Sequence, residues 1–385
     1  RRKRTWSRRT LLRRLALYPL GGAAALAAGG VVFHQATLYR AGDPQRGTLA
    51  LTGANVLAGA ELEPAPDATV VIRDGVITDV GSEAEVPAGA DVVDVGGRTL
   101  LPGLIDLHVH FGTPAQGSAP GVLAIPRLVA DLVRLVPDRR RELLEHGVTA
   151  VRSLGDEYAW ICDMRSQLAD GTLEGPRLFA AGPIFTTPGG HPVATFGSEP
   201  ESDFVRVPLS PDEARRTVRA LAQGDDRVDL IKVVQERGDS RRPLEPFAPE
   251  MLRAIVDEAH EQGLPVVVHW GTIEDLEDAL AAGVDGLEHL ETRGPLQAWP
   301  SEVLDVLVER QVPLSPTLAV TEAAPAVSAE DHRQLRLRAG EYHAAGGRIT
   351  VGTDPPLQGV PFGAGVHREL ELLVDGGLTP QQALR

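Results

Sequence analysis

Cysteine is almost missing from this chain of 385 residues: Cys162 stands alone. No disulfide can form within the chain and no cluster of thiolates can hold a metal, so any bound ion must find its ligands among His, carboxylate and Lys side chains. Cys162 itself reads as a small core residue. A surplus of positive charge is also lacking. The formal net charge is −15, which argues against a nucleic-acid partner. The glycine-rich phosphate loop of a nucleotide-binding sheet is absent after the first strong strand pattern, which disfavours a doubly wound open sheet. What remains, 43% hydrophobic and 24% charged residues, is the make-up of an ordinary globular body large enough for a barrel of about 250 residues plus a smaller unit.

The basic charge is concentrated at the start. Arg1–Arg14 contains no acid, and Leu15–Phe33 then runs uncharged and rich in Ala, Leu and Gly. A positive segment followed by an apolar one is the order of an export signal, and Ser7-Arg8-Arg9-Thr10-Leu11-Leu12 resembles the twin-arginine signature. Residues 1–40 are therefore expected to direct the body to the periplasm or the exterior. Residues 15–33 are also just long enough to serve as a membrane anchor.

From Thr48 to Asp94 short strand patterns alternate with turns, and Asp74-Gly75 between alternating apolar residues marks a hairpin. Residues 46–98 read as a small β domain. Beyond Thr99 the texture changes to apolar strands separated by amphipathic helices such as Pro249–Gln262 and Thr272–Ala282. Eight strands are expected, at Leu104–His110, Val148–Ser153, Arg177–Ala181, Val228–Val234, Pro265–Trp270, Val284–His289, Val312–Thr317 and Arg348–Thr353. The fold class is α/β, with residues 99–385 as a (β/α)8 TIM-type barrel.

Within that frame LPGLIDLHVH (Leu101–His110) sets His108 and His110 on one side of a strand, since side chains two apart share a face. Aiming two neutral imidazoles at one point is what a metal site requires. Lys232 lies inside the apolar VDLIKVV, His269 falls near the end of LPVVVHW, His289 falls in GVDGLEHL, and Asp354 follows ITVGT. Singly, each has a simpler reading: a paired interior lysine, a hydrogen-bonded histidine, a turn aspartate before two prolines. Together they fall at the same end of different strands, the end at which barrel enzymes gather their chemistry. Asp106 shares the parity of the two histidines and is expected one layer deeper, as a supporting group.

These segments, with GVTAVRSLG (Gly147–Gly155) and the tail HRELELLVDGGLTPQQAL, make a chain that resembles the amidohydrolase superfamily, most closely its imidazolonepropionase-related and Xaa-Pro dipeptidase-like branch. The resemblance implies that His108, His110 and Asp354 bind one divalent metal, that His269 and His289 bind a second, and that Lys232 bridges them as N6-carboxylysine. Zinc is the default ion. It further implies hydrolysis of an amide bond in a small molecule, a dipeptide or N-acyl amino acid, by a hydroxide held between the ions, with Asp354 as general base and then acid. Burial would lower the pKa of Lys232 toward the neutral amine that carbamate formation needs. In TTPGGHP, His191 is a candidate contact for substrate. The family's barrel is followed by strands that return to the small β unit, whereas here the sequence stops at Arg385 in a helical pattern, so that unit is expected to be incomplete.

Rival readings are a lactonase or phosphotriesterase, which generally lacks a small β unit; a deaminase, which normally dispenses with the bridging lysine; and a non-catalytic scaffold, which typically loses ligands. Oligomeric state is left open.

Overall fold

The computed structural model describes residues 46–112, 124–196, 202–224, 226–290 and 298–385, with side chains from 135 onward in the helix Ala124–Glu145. The segment read as an export signal or anchor lies outside them. Among the described residues no helix is long and apolar enough to cross a membrane.

Thr48–Ala58 is the spine of a five-stranded sheet. It pairs antiparallel with Glu63–Arg73, which turns back into Val76–Gly81, and on its other edge it carries Asp91–Asp94 and Thr99–Leu100 in parallel. The hairpin expected at Asp74-Gly75 is present, and both residues have positive φ, 48° and 80°. That is the backbone of a type I′ turn, whose twist suits the flanking strands. Alternation along the two central strands turns Ala54, Val56, Ala68 and Val70 into a small apolar core.

The rest of the chain is α/β. Leu104–Val109, Val148–Ser153 and Arg177–Ala180 form one parallel sheet in sequence order. Ile184–Phe185, Ile231–Gln235, Val266–Trp270, Gly286–Glu288 and Leu314–Ser315 follow in a second, also parallel. Backbone hydrogen bonds join the two: Asp229 N donates to Ala180 O at 2.9 Å, and beyond Leu314 the chain returns to its start, with Leu107 N donating to Val351 O at 2.9 Å and Asp354 N to His108 O at 2.8 Å. The arrangement is TIM-barrel-like. The eighth expected strand is reduced to a single bridge between Leu314 and Ile349. Its ladder is interrupted because Thr353 N donates to the Asp106 carboxylate instead of a carbonyl.

Helices fill the crossovers where caps start and stop them. Pro249 opens Pro249–Glu261 at its first turn. Thr272 and Asp275 form a capping box on Ile273–Ala282, which ends at Gly283 in the left-handed conformation. Between helices and sheet lies the main core, in which Ile231, Val233, Val266, Val268 and Leu287 pack against Leu252, Ile255 and Leu276. Trp270, fully buried beside Trp299, donates from Nε1 to His289 O at 3.0 Å and so pins the chain at the end of the Gly286–Glu288 strand.

Candidate metal centre

The strand Leu104–Val109 delivers His108, and His110 follows one residue past its end; the two ring centroids are 5.3 Å apart. His108 Nε2 lies 3.4 Å and His110 Nε2 3.1 Å from Asp354 Oδ1, and all three residues are buried. Their candidate ligand atoms fall within 4.8 Å of one another. The row of imidazoles continues from His108 to His289 at 4.8 Å, to His269 at 4.6 Å, and to His191 at 5.1 Å with rings nearly parallel. All six residues expected at the strand ends, and His191 from the loop after Ile184–Phe185, are thus gathered in one region. Lys232 completes it from inside the Ile231–Gln235 strand, close enough to Glu288 and Asp354 for their charges to act on its amine.

Each ring is oriented by a partner. Nδ1 of His108 pairs with Glu288 Oε2 at 2.8 Å, Nδ1 of His110 donates to Gly155 O at 2.8 Å, and Nδ1 of His289 pairs with Thr317 Oγ1 at 2.7 Å. His269 is turned the other way, with Nε2 held by Glu236 Oε2 at 3.1 Å. Three of these positions are backbone exceptions. His289, Thr317 and Asp354 have φ of 72°, 51° and 59°, at the ends of three successive barrel strands. A left-handed non-glycine residue costs about 1–2 kcal/mol, and such strain concentrates where geometry serves a site.

The electrostatics ask for a cation. Gly155 O can only accept, so His110 Nδ1 carries hydrogen, and the neutral ring then presents a lone pair at Nε2 toward the lone pairs of Asp354 Oδ1. That oxygen is buried and makes no well-formed hydrogen bond among the described residues. A positive charge between the facing atoms resolves the clash, either a proton or a metal. Burial opposes ionisation of Asp354, but His108 and His110 outweigh it and hold the carboxyl below the usual aspartate range. Burial pushes the pKa values of His108 and His289 far down, which favours the neutral, ligating form of both rings, whereas at His110 Asp354 outweighs burial and raises the value. Lys232 Nζ is likewise buried without a hydrogen-bond partner, and burial drops its pKa to about 8 against the pull of Glu288 and Asp354. Lys232 and Lys3 are the only lysines in the chain.

Asp106 lies one layer below, as expected. It accepts from Thr353 Oγ1 at 2.5 Å and from the backbone of His108 and Thr353, and burial raises its pKa to about 7. Sequence reasoning missed Glu288, Arg152, Glu236 and Thr317. Arg152 donates from Nε to Leu107 O at 2.7 Å and pairs with Glu288, which in turn holds His108. A charged residue in a strand otherwise free of charge, as Arg152 is in VTAVRS, was the available signal.

Against known proteins, the model of the amidohydrolase family matches residues 99–385. The chain belongs to the amidohydrolase family. This amidohydrolase is 27% identical over 372 residues to ochratoxinase of Aspergillus niger, covering 86% of its own length and 73% of that enzyme. The crystal structure of A. niger ochratoxinase superposes with a TM-score of 0.68 at 25% identity, over 88% of this chain and 82% of the other. A Xaa-Pro dipeptidase crystallised with bound methionine reaches a TM-score of 0.72 at 24% identity, over 88% and 86%, and molinate hydrolase 0.71 at 23%, over 88% and 83%. These last two establish likeness of fold. The family is one of hydrolases that generally bind divalent metals, and the His108, His110, Asp354 cluster is of that kind. Cys162 stays apart from it, buried, with its thiol pushed up to about 11 by desolvation.

Proposed function

We propose that this amidohydrolase is a binuclear metal-dependent enzyme that hydrolyses a carbon–nitrogen amide bond, with a dipeptide or N-acyl amino acid as substrate. One observation carries the reading: the Nε2 atoms of buried His108 and His110 converge on a buried Asp354 oxygen that lacks a well-formed hydrogen bond. The donor set fits hard or borderline divalent ions, being nitrogen and oxygen throughout. His108, His110 and Asp354 would hold one ion and His269 and His289 the other. Lys232, buried and without a hydrogen-bond partner at Nζ, would take up carbon dioxide, lose a proton and offer two carbamate oxygens to both. Bound ions, zinc by default, would supply Lewis acidity toward a substrate carbonyl and acidify a water.

The chain's own groups do the rest. Asp354, whose pKa its surroundings hold below the usual aspartate range, takes a proton from the attacking water and returns it to the leaving nitrogen. His191 stacks on His269 and pairs through Nδ1 with Thr195 Oγ1 at 2.5 Å, which sets it beside the candidate ligands as a contact for substrate. The reading also takes residues 99–385 as a (β/α)8 barrel, residues 46–98 as a small β-sandwich-like domain, and residues 1–40 as a signal carrying the enzyme out of the cytoplasm.

Metal analysis and a hydrolysis screen test the proposal together. Purified protein should carry two divalent ions per chain and cleave dipeptides or N-acyl amino acids. Cleavage confined to lactones or phosphotriesters would overturn the substrate class, and absence of stoichiometric metal after reconstitution would overturn the mechanism.

A further inference from the structure

The four imidazoles proposed as ligands each have a tethered nitrogen, and one is tethered from the opposite side. His108, His110 and His289 are all held at Nδ1, so each presents Nε2. His269 is held at Nε2, so only Nδ1 remains for the pocket. Its holder is Glu236, a carboxylate 1% exposed, two residues past the point where Val234 pairs with His269 in the parallel ladder. The strand directs it: Lys232 and Val234 share one parity, and Glu236, one residue past the strand's end at Gln235, continues it, which places the lysine and the carboxylate along one side of the sheet. The rings are therefore backed in matched pairs. In the group His108, His110 and Asp354, one imidazole rests on a carboxylate, Glu288, and one on a neutral carbonyl. In the group His269 and His289, one rests on a carboxylate, Glu236, and one on a neutral hydroxyl.

We infer that Glu236 is a positioning residue, fixing His269 as the Nε2–H tautomer and supplying the charge that lets the His269–His289 position retain its cation. The inference rests on the two-metal reading for its second half and on hydrogen-bond geometry alone for its first. A carboxylate behind a ligating histidine orients the ring and raises its basicity, and removing such a partner typically costs about 10–100-fold in metal affinity.

The test uses the full chain as Glu236→Leu and Glu236→Gln beside the unaltered protein, with the far-UV spectrum and thermal midpoint checked first. Nitrogen-15 NMR of the metal-free proteins should show His269 as the Nε2–H tautomer in the unaltered chain and in Glu236→Gln, whose amide oxygen still accepts, and a shift toward Nδ1–H in Glu236→Leu. Zinc titration should show Glu236→Leu losing one of two ions about 10–100-fold more readily, with Glu236→Gln in between and the tighter ion unchanged in both. A Nδ1–H ring in the unaltered chain, or a tautomer indifferent to Glu236→Leu, overturns the inference. So does equal retention of two ions by Glu236→Leu and the unaltered protein. Fewer than two ions in the unaltered protein would instead count against the two-metal reading, and the tautomer measurement would still decide the role of Glu236.

Discussion

Asp354 combines two properties that a carboxylate seldom has together: it is buried, and its neighbours keep it charged. Asp354→Asn preserves the volume and one oxygen while removing the ability to take a proton. The variant is expected to keep bound metal, as read by elemental analysis, while kcat falls by about 10³-fold. Lys232→Ala should act differently, emptying the two-ion site before any question of proton transfer arises, with stoichiometry near or below one ion per chain. Near-normal rates in both would reject the mechanism. Glu369 gives a separate, pH-dependent expectation. Fully buried, it accepts from Leu318 N at 2.8 Å and Ala319 N at 2.7 Å, and burial raises its pKa to about 8. Its unfolded value is near the ordinary one, so the folded chain holds a proton between about pH 4.5 and 8 that the unfolded chain has released. That contribution is complete below the lower value and disappears as pH climbs through the upper one. Stability should therefore decline from pH 5 to 9, and Glu369→Gln should flatten the decline in denaturant titrations at several pH values.

At the scale of elements, the turn after Val148–Ser153 governs the reach of His110. Gly155 has φ of 149°, and a Cβ there would stand 2.5 Å from Ile184 Cδ1 and 3.3 Å from His110 Cε1, while its carbonyl is the one that orients His110. Gly155→Ala should lower the stability by about 1–3 kcal/mol and loosen the ion shared by His108, His110 and Asp354, as thermal melts and metal titration would show. Much of this layer was legible in the chain. Apolar runs placed Leu104–Val109, Val148–Ser153 and Arg177–Ala180 nearly to the residue, because buried parallel strands are continuous in composition and bounded by glycine. The His108 and His110 pair was visible because a strand puts alternate residues on one face. Glu236 and Thr317 were not, since their partners lie 33 and 28 residues away and only the folded ring brings them together. The eighth strand was read too long for a similar reason: Asp106, 247 residues distant, takes the N–H that would have extended it.

For the molecule as a whole, the candidate ligands come from the strands Leu104–Val109, Ile231–Gln235, Val266–Trp270 and Gly286–Glu288 or the residue just past them, and from Asp354, so an ion bound among them ties together segments from His108 to Asp354. Ligand that binds only the folded state stabilises it by about 2.7 kcal/mol at a hundredfold excess over Kd. Treatment with a strong chelator should accordingly lower the thermal midpoint by about 3 °C or more, with recovery on returning zinc. Wild-type midpoints unmoved by chelation would separate the fold from the metal. The five-stranded sheet is joined to the barrel side as well, where Gln381 Nε2 donates to Glu61 O at 2.6 Å and Arg385 pairs with Glu61.

Because arginine supplies nearly every cation in this protein, Lys232 is the sole amine side chain in the described body. A reagent that acylates primary amines thus has one interior target, and access to it is a direct gauge of whether the pocket is open. Coupling chemistry aimed at lysines, routine for immobilising proteins, finds no other lysine among the described residues through which to attach.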